Sequence, residues 1–337
     1  MLRSQFEVLH FSAEFAAEAG ANLLVDYFAI ADCCRPSSVI ASFSGIRIGS
    51  KLTTDSGNGF EGRMKTGVKS ENRFENDASR YAAYLETPEG RLRADVVFAN
   101  LQEFLPAWAG GNVPRALDLG CGTGAAAVRL ARLGIHVTLL DSSATMLALA
   151  ERTIAEAGAT DNITLKQGDA AQLADLLLAG SFDIVLCHNL LEYVDDPGAV
   201  LRGAARVMRG SSSILSVLVR NQAGDALKAA LQTGDLAAAE HALTADWGKE
   251  SLYGDSVRLF TPETVEVILK DASLTVKARR GVRVVADYLP AEISRSAEYE
   301  RIFALERKLG RRREFFGVAR YMHCFASCAT PGPEGEE

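Results

Sequence analysis

Three features that would place the chain in a class at once are missing from its 337 residues. No apolar run approaches the roughly 20 residues that a membrane-spanning helix needs. Glu7, Glu14 and Glu18 interrupt the N-terminus, so a secretory signal is not predicted either. No cysteine pair has C-x-x-C spacing, which argues against a zinc site and against a disulfide framework. We therefore expect a protein without a bound metal or a membrane span, kept in the reducing cytoplasm.

A net positive charge is also missing, because the chain carries a formal charge of −7 at pH 7. That value argues against general affinity for nucleic acids. The charge is unevenly spread, since twelve lysines and arginines stand against six acids between Lys277 and His323. This basic section could steer a polyanion to one face of the protein, although a solvated helix face would explain it equally well.

The chain divides by composition into two parts. Residues 1–63 contain helix-like pieces and a Ser/Gly-rich stretch, Ser42–Gly62, that is typical of a linker. We expect them to form an N-terminal extension, poorly ordered or even upstream of the natural start. Residues 64–337 are expected to form one α/β domain, in which helical spacing over Asp77–Leu105 precedes a β/α alternation typical of a parallel sheet.

The alternation predicts five mostly apolar strands, as expected where both faces of a sheet are covered. They are Arg115–Leu119, His136–Asp141, Ile163–Gln167, Phe182–His188 and Ile214–Val219. Residues 221–260 are predicted to form a helical, Ala-rich cap insertion over the carboxyl ends of the strands, where open α/β sheets bind ligands. After a helix that starts at Thr261, two further strands are predicted over Thr275–Val285 and Val318–Ala326.

A Gly-rich turn follows the first strand, in the stretch Ala116-Leu-Asp-Leu-Gly-Cys-Gly-Thr-Gly124. Taken with Ala125, its glycines fit the G-x-G-x-x-G/A fingerprint of dinucleotide sites. Taken with Asp118, they fit a loop that holds S-adenosylmethionine. Either ligand would use backbone N–H groups that glycine brings close, with a helix dipole behind them. Asp141, at the end of the second strand, could bond the ribose diol of either ligand.

Three further positions separate the two ligands. Asp118, just before the first glycine, could orient the loop or reach a ligand ammonium through water, and a dinucleotide site gains nothing obvious from it. Asp169 follows the third strand, where a carboxylate can accept from an adenine amino group. The fourth strand ends in the polar pair His188-Asn189. Each residue alone could be an ordinary buried polar group, but together they favour S-adenosylmethionine.

This set of residues resembles the class I S-adenosylmethionine-dependent methyltransferases. The resemblance implies a Rossmann-like α/β fold with a seven-stranded, mostly parallel sheet whose last strand is antiparallel. The flanking segments Tyr81–Arg93, His188–Pro197, Gly281–Leu289 and Ala319–His323 are similar to the tRNA 5-carboxymethoxyuridine methyltransferase family. That family methylates the carboxylate of a modified wobble uridine, and the similarity covers roughly residues 72 to 326.

The candidate cofactor-binding residues follow the Gly-rich turn and the strand ends. The resemblance implies contacts at Arg93, Gly120, Cys121, Asp141, Ala170 and His188; to these we add Asp118, Gly122, Gly124, Ser142, Asp169 and Asn189. Arg93 makes physical sense, because a guanidinium can pair with the carboxylate of S-adenosylmethionine.

The implied chemistry is undemanding, since a carboxylate is already ionised at neutral pH and needs no general base. Catalysis then consists mainly of aligning the acceptor and excluding water. Arg283, Tyr288, Arg320 and His323 are the candidates for holding the acceptor carboxylate or nearby phosphates. A surface ion pair or hydrogen bond would explain each of them equally well.

Two departures from that family bear on the acceptor. Its members carry an aromatic residue and a histidine where this chain has Val285 and Ala286, and a lysine run where it has the mixed segment Thr244–Glu250. RNA recognition uses base stacking and positive charge. The Arg307–Arg313 cluster could supply the charge. Three aromatic residues could supply the stacking: Trp247, Tyr253 and Phe260.

The sequence leaves three alternatives to a tRNA partner open. The acidic net charge favours a small-molecule O-methyltransferase, acting on a carboxylic acid or a quinol precursor. An NADP-dependent oxidoreductase would use the same glycines without needing Asp118 or Asp169. The third alternative is a catalytically inactive module that binds the cofactor and assists a partner.

Overall fold

A computed structural model of the chain describes residues 71–105, 113–249, 256–290, 292–293 and 295–329, with side chains from Ala78 onward. The predicted N-terminal extension, residues 1–63, lies outside the described residues, as does Tyr253. The described part begins with two consecutive helices, α1 (Glu71–Glu86) and α2 (Pro88–Gln102).

The described residues contain nine strands, seven of which form one mixed sheet. In chain order they are β1 (Arg115–Leu119), β2 (His136–Asp141), β3 (Ile163–Gln167), β4 (Ile184–His188), β5 (Ile214–Arg220), β6 (Trp247–Lys249), β7 (Ser256–Arg258), β8 (Leu274–Val282) and β9 (Tyr321–Cys328). The order across the sheet is β3-β2-β1-β4-β5-β9-β8. Strands β1 to β5 run parallel, and β9 is antiparallel to both of its neighbours. The predicted Rossmann-like fold class with an antiparallel last strand is confirmed.

Helices cover both faces of this sheet. After α2 the helices are α3 (Ala125–Ala131), α4 (Ala144–Glu156), α5 (Leu173–Leu176), α6 (Pro197–Val207), α7 (Gln222–Lys228), α8 (Leu236–Ala242), α9 (Pro262–Asp271), α10 (Tyr299–Gly310) and α11 (Arg313–Phe316), of which α7 and α8 belong to the cap insertion. All seven residues of β5 and the last four of β1 are buried, which explains why these strands are apolar rather than alternating.

The hydrophobic core lies on the two faces of the sheet. Leu201 of α6 packs in the cluster on one face, and Ile154 of α4 packs in the cluster on the other. A third cluster joins Val96 of α2 to Leu218 of β5 and Ile302 of α10. Each such side chain contributes about 1.5–3 kcal/mol by its burial. The third cluster fixes α2 against the sheet and so positions the polar residues of that helix.

The corner between α1 and α2 is tight. The Thr87 hydroxyl accepts a hydrogen bond from the Gly90 N–H at 3.1 Å and donates one to the Tyr84 carbonyl oxygen at 2.7 Å, and Pro88 opens the helix. A methyl group on Gly90 would lie only 2.0 Å from that carbonyl oxygen. Glycine is therefore needed where α2 passes the end of α1.

The cap insertion differs from its prediction. It contains α7, a π-helical turn over Ala229–Thr233 and α8, but it ends in a two-stranded hairpin of β6 and β7 rather than in a helix. Val257 is fully buried on one face of the hairpin, whereas Trp247 and Arg258 pair on the other with the guanidinium carbon 4.8 Å from the indole ring centroid. This alternation stabilises strands in a segment predicted to be helical.

Several predicted strand ends also shift, and β9 spans Tyr321–Cys328 rather than Val318–Ala326. Strand β4 begins at Ile184 rather than Phe182, because Phe182 pairs only through an isolated bridge with Met208. Strand β8 ends at Val282, because Arg283 adopts a positive φ of 57°. Beyond it, the buried Glu306 carboxylate accepts hydrogen bonds from the next three backbone N–H groups, which replaces the sheet pairing.

Candidate active site

A cavity of about 380 Å³ opens at the carboxyl ends of the parallel strands. The predicted cofactor residues that line it are Arg93, Gly120, Gly122, Asp141, Ser142, Asp169, Ala170, His188 and Asn189. A smaller cavity of about 100 Å³ shares several of these residues and adds Asp118 and Cys121 to its lining. The strand ends thus bring nearly all of the predicted cofactor residues together.

The Gly-rich turn is held open by the conformations of its glycines. Gly120, Gly122 and Gly124 have φ values of 63°, 52° and 73°, which side-chain-bearing residues rarely adopt. The Gly122 N–H donates to the Asp141 carboxylate at 3.1 Å, and the Ser143 N–H donates to it at 3.0 Å. Asp141 therefore ties the turn to the end of β2. Gly124 does not line either cavity; it caps α3.

Asp169 lies beyond the end of β3, on the wall that it shares with Ser142 and Ala170. Its Oδ1 accepts a hydrogen bond of 2.8 Å from the Ala171 N–H, which starts a short 3₁₀ turn. A methyl group on Gly168 before it would come within 2.5 Å of the Leu176 side chain, which would have to shift. The carboxylate is thus held at the cavity wall by local backbone structure.

Arg93 of α2 is 8% exposed and sits within an aromatic cage. Its guanidinium carbon lies 5.8, 5.0 and 5.6 Å from the ring centroids of Tyr81, Tyr84 and Tyr321. One Nη donates to the Tyr81 hydroxyl and the other to the Asn189 side-chain oxygen, both at 3.1 Å. Burial alone would lower the pKa of Arg93. The three tyrosines favour the charged form, so the pKa rises well above its ordinary value.

Asp118 is 4% exposed and faces the smaller cavity. Burial, reinforced by the nearby charge of Asp141, raises the pKa of Asp118 to about 7. A nearby cation would stabilise the ionised form of this carboxyl group. The ligand ammonium that the sequence predicts for Asp118 would be such a cation.

A chain of hydrogen bonds crosses the cavity floor behind Arg93. Asn189, which has a positive φ of 51°, donates through its side-chain amide to Glu192 Oε1 at 2.9 Å. The same oxygen accepts from the Arg220 N–H at 2.9 Å. Burial raises the pKa of Glu192 to about 7 despite these bonds. The end of β4 is thereby linked to the end of β5.

Three more arginines line the cavity around Tyr321, on the side where β5 meets β9: Arg220, Arg283 and Arg320. The Arg283 side chain bonds the buried Asp287 through Nε at 2.8 Å and the Tyr84 hydroxyl through Nη1 at 3.0 Å. Arg220 and Arg320 both contact Asp225 of α7. Burial opposes ionisation of Tyr321, but the surrounding arginines hold its pKa below its usual range. Two of the four predicted acceptor-binding residues, Arg283 and Arg320, thus line the cavity.

The other two predicted acceptor residues do not line either cavity. His323 is fully buried, because β9 runs away from the cavity edge and carries it two residues deeper than Tyr321. Tyr288 lies on a short 3₁₀ turn with its hydroxyl buried and without a hydrogen-bond partner among the described residues.

Sequence reasoning missed the aromatic and arginine residues that complete the cavity: Tyr81, Tyr84, Arg220 and Tyr321. Tyr321 stands next to a predicted residue, and Arg220 directly follows a predicted strand. Tyr81 begins one of the segments that carry the family resemblance, whereas Tyr84 gives no signal beyond helical spacing.

The residues fit S-adenosylmethionine in this cavity. The turn whose glycines lack Cβ atoms leaves room beside Tyr81, since a methyl group on Gly122 would lie 3.2 Å from that ring. Asp141 and Asp169 would hold the ribose and adenine, Arg93 the carboxylate, and Asp118 the ammonium. Among the described residues, no cluster of side chains suits a metal ion and no helix is long and apolar enough to cross a membrane.

Comparison with known proteins agrees with this assignment. A family model described as a methyltransferase domain matches residues 116–211. The tRNA 5-carboxymethoxyuridine methyltransferase of Escherichia coli K12 is 29% identical over 254 residues, covering 75% of this chain and 95% of that protein. The ubiquinone biosynthesis O-methyltransferase of Xanthomonas axonopodis pv. citri is 34% identical over 137 residues, covering 40% of this chain and 53% of that protein.

Among solved structures, a methyltransferase of Thermotoga maritima described as a possible histamine N-methyltransferase matches with a TM-score of 0.51 and 17% identity. The match covers 76% of this chain and 98% of that one, and it supports the fold alone. The methyltransferase match includes the Gly-rich turn, so the dinucleotide alternative is set aside. The chain thus carries a methyltransferase domain on the class I fold, with S-adenosylmethionine as its methyl donor, and it resembles the tRNA 5-carboxymethoxyuridine methyltransferases over 75% of its length.

Proposed function

We propose that the protein forms the methyl ester of 5-carboxymethoxyuridine at the wobble position of tRNA, in the cytoplasm. The observation that carries this proposal is the group of arginines around Tyr321: Arg220, Arg283 and Arg320. Arg283 pairs with Asp287 and Arg320 pairs with Asp225, and both arginines still line the cavity, so an acceptor carboxylate would find charged hydrogen-bond donors there. The Escherichia coli relative adds support.

S-adenosylmethionine, when bound, supplies an electrophilic methyl group. The residues of this chain would bind and orient. Arg283 and Arg320 would hold the acceptor carboxylate, the Tyr84 and Tyr321 rings would exclude water, and Val257 of the cap would close the outer wall. No residue needs to remove a proton, because the carboxylate is ionised at neutral pH.

Contacts to the rest of a tRNA are proposed from the surface. Arg280, Arg307 and Arg311 share the single carboxylate of Glu103, which leaves an excess of positive charge near the C-terminal end of α2. Trp247 is 50% exposed, with Arg258 stacked on one face, so its other face could receive a base. Phe260 is buried and offers no such surface.

The direct test is a comparison of tRNA nucleosides. In a strain without this protein we expect unesterified 5-carboxymethoxyuridine to accumulate and its methyl ester to disappear. The purified full chain with S-adenosylmethionine should restore the ester on that tRNA. An unchanged nucleoside profile would reject the tRNA assignment, but it would not contradict methyltransferase activity on another acceptor.

A second prediction concerns Arg283. Because Asp287 is buried beside it, replacement of the arginine alone would leave an unpaired charge. The test variant and its control are therefore both made in a protein that carries Asp287→Asn. In that background Arg283→Ala should lower kcat/KM for the acceptor about 10–100-fold, the value of a charged hydrogen bond, with little change in affinity for S-adenosylhomocysteine. Arg279→Ala, an exposed arginine of β8 paired with Glu266, is the control. Equal turnover in both variants would exclude Arg283 from acceptor binding.

The runner-up function is O-methylation of a small hydroxylated acceptor such as a quinol precursor. One observation favours it: Glu192 lines the cavity, is buried, and its raised pKa of about 7 suits a general base. The two functions respond differently to Glu192→Gln. A hydroxyl acceptor would lose its base and most of its turnover, whereas a carboxylate acceptor would not.

A further inference from the structure

Behind the cavity, one buried hydroxyl joins two histidines. Ser216 Oγ lies 2.8 Å from His188 Nε2 and 2.7 Å from His323 Nε2. His188 lines the cavity, whereas Ser216 and His323 are fully buried. The register of the sheet creates this arrangement, since His188 of β4 and His323 of β9 both pair with Leu218 of β5, two residues from Ser216.

Both imidazoles are neutral at physiological pH. Burial, helped by the charge of Arg93, lowers the pKa of His188 to about 3. Burial, helped by His188 and by Arg280, holds the pKa of His323 well below its ordinary value. Each ring therefore carries one hydrogen, on either Nδ1 or Nε2.

The Ser216 hydroxyl makes the tautomer of His188 depend on the tautomer of His323. It has a single hydrogen, so it donates to one Nε2 and accepts from the other. If it donates to His323, the hydrogen of His323 sits on Nδ1, which is buried without a partner among the described residues. If it donates to His188, His323 donates from Nε2 and only a lone pair is left without a partner. Buried donors without an acceptor are the rarer kind in proteins, which favours the second arrangement.

We infer that Ser216 and His323 are positioning residues that fix His188 as the Nδ1–H tautomer. With Nε2 engaged behind the cavity, Nδ1 is the ring nitrogen left for a ligand, and it offers a hydrogen. His188 then binds an oxygen or an unprotonated ring nitrogen, and it cannot take a proton from an acceptor hydroxyl. This inference concerns the histidines themselves and does not depend on tRNA being the substrate.

The tautomers can be read directly by two-bond ¹H–¹⁵N NMR correlations, on the full chain labelled with ¹⁵N-histidine and without cofactor. The chain has five histidines, so single His→Gln variants can assign the signals. Between pH 6 and 8 we expect the hydrogen of His188 on Nδ1 and that of His323 on Nε2. A hydrogen of His188 on Nε2, or a charged imidazolium at pH 7, would overturn the inference.

Two serine variants then test the cause. Ser216→Ala removes the shared hydroxyl and should shift His188 to a mixture that contains the Nε2–H form. Ser213→Ala is the matched control, because Ser213 is also buried, lies just before β5, and its hydroxyl has no hydrogen-bond partner among the described residues. If His188 keeps its tautomer in Ser216→Ala, the serine does not set it. Should that variant not fold, the measurement on the unaltered protein still decides the tautomer.

Discussion

Replacing Arg93 with alanine should weaken binding of S-adenosylhomocysteine about 10–150-fold, or about 1.5–3 kcal/mol, as expected for loss of a charged hydrogen bond. The guanidinium is buried among three tyrosine rings and is held by Tyr81 and Asn189, so it is already oriented before a ligand carboxylate arrives. Little conformational entropy is then lost on binding. Calorimetric titration of the full chain measures the affinity.

Two variants sharpen that experiment. Arg93→Lys keeps the charge but loses the planar fork, so its affinity should fall between those of the unaltered protein and Arg93→Ala. Arg91→Ala removes an exposed arginine of the same helix and should leave the affinity unchanged. If Arg93→Ala binds the ligand as tightly as Arg91→Ala does, Arg93 is not a cofactor residue.

The second large effect is expected on stability, from Gly90→Ala. The added methyl group would lie 2.0 Å from the Tyr84 carbonyl oxygen and 2.9 Å from the Leu85 Cα, so backbone must move rather than a side chain. We expect the free energy of unfolding to fall by about 3 kcal/mol or more, because overpacking that shifts backbone is costly. Denaturant unfolding of the full chain measures this.

Gly317→Ala is the matched control for Gly90→Ala. A methyl group on Gly317 meets no atom within 4 Å, and its φ of −69° suits alanine. Because α1 carries Tyr81 and Tyr84, displacement of its end should also loosen the cage around Arg93 and weaken cofactor binding. Equal stability of the two variants would mean that the backbone between α1 and α2 can accommodate the methyl group at little cost in free energy.

The strand ends and the Gly-rich turn could be predicted because their signals are local. A short apolar run followed by glycines or an acid fixes both a strand and the polar residue at its end, as at Asp141 and Asp169. In a parallel sheet these ends meet at one edge, so residues distant along the chain come together without further information.

The acceptor side could not be predicted as well, because its residues come from an antiparallel strand and from helices outside the alternation. Tyr321 and His323 both follow Arg320 closely, but only the pairing of β9 with β5 decides which of them reaches the cavity. Tyr84 looks like any residue of an amphipathic helix until α1 packs against α2 and α4. The hairpin at Trp247 was missed for a related reason, since three-residue strands are too short for a periodic signal.

The contact of Asp225 with both Arg220 and Arg320 has an evolutionary consequence. The two arginines belong to the main sheet, one ending β5 and the other directly preceding β9, whereas the acid comes from the insertion. Replacing one loop between two strands would therefore change the net charge of the acceptor pocket while the cofactor residues stay as they are. We expect an exchange of that insertion to alter acceptor preference before it alters cofactor binding.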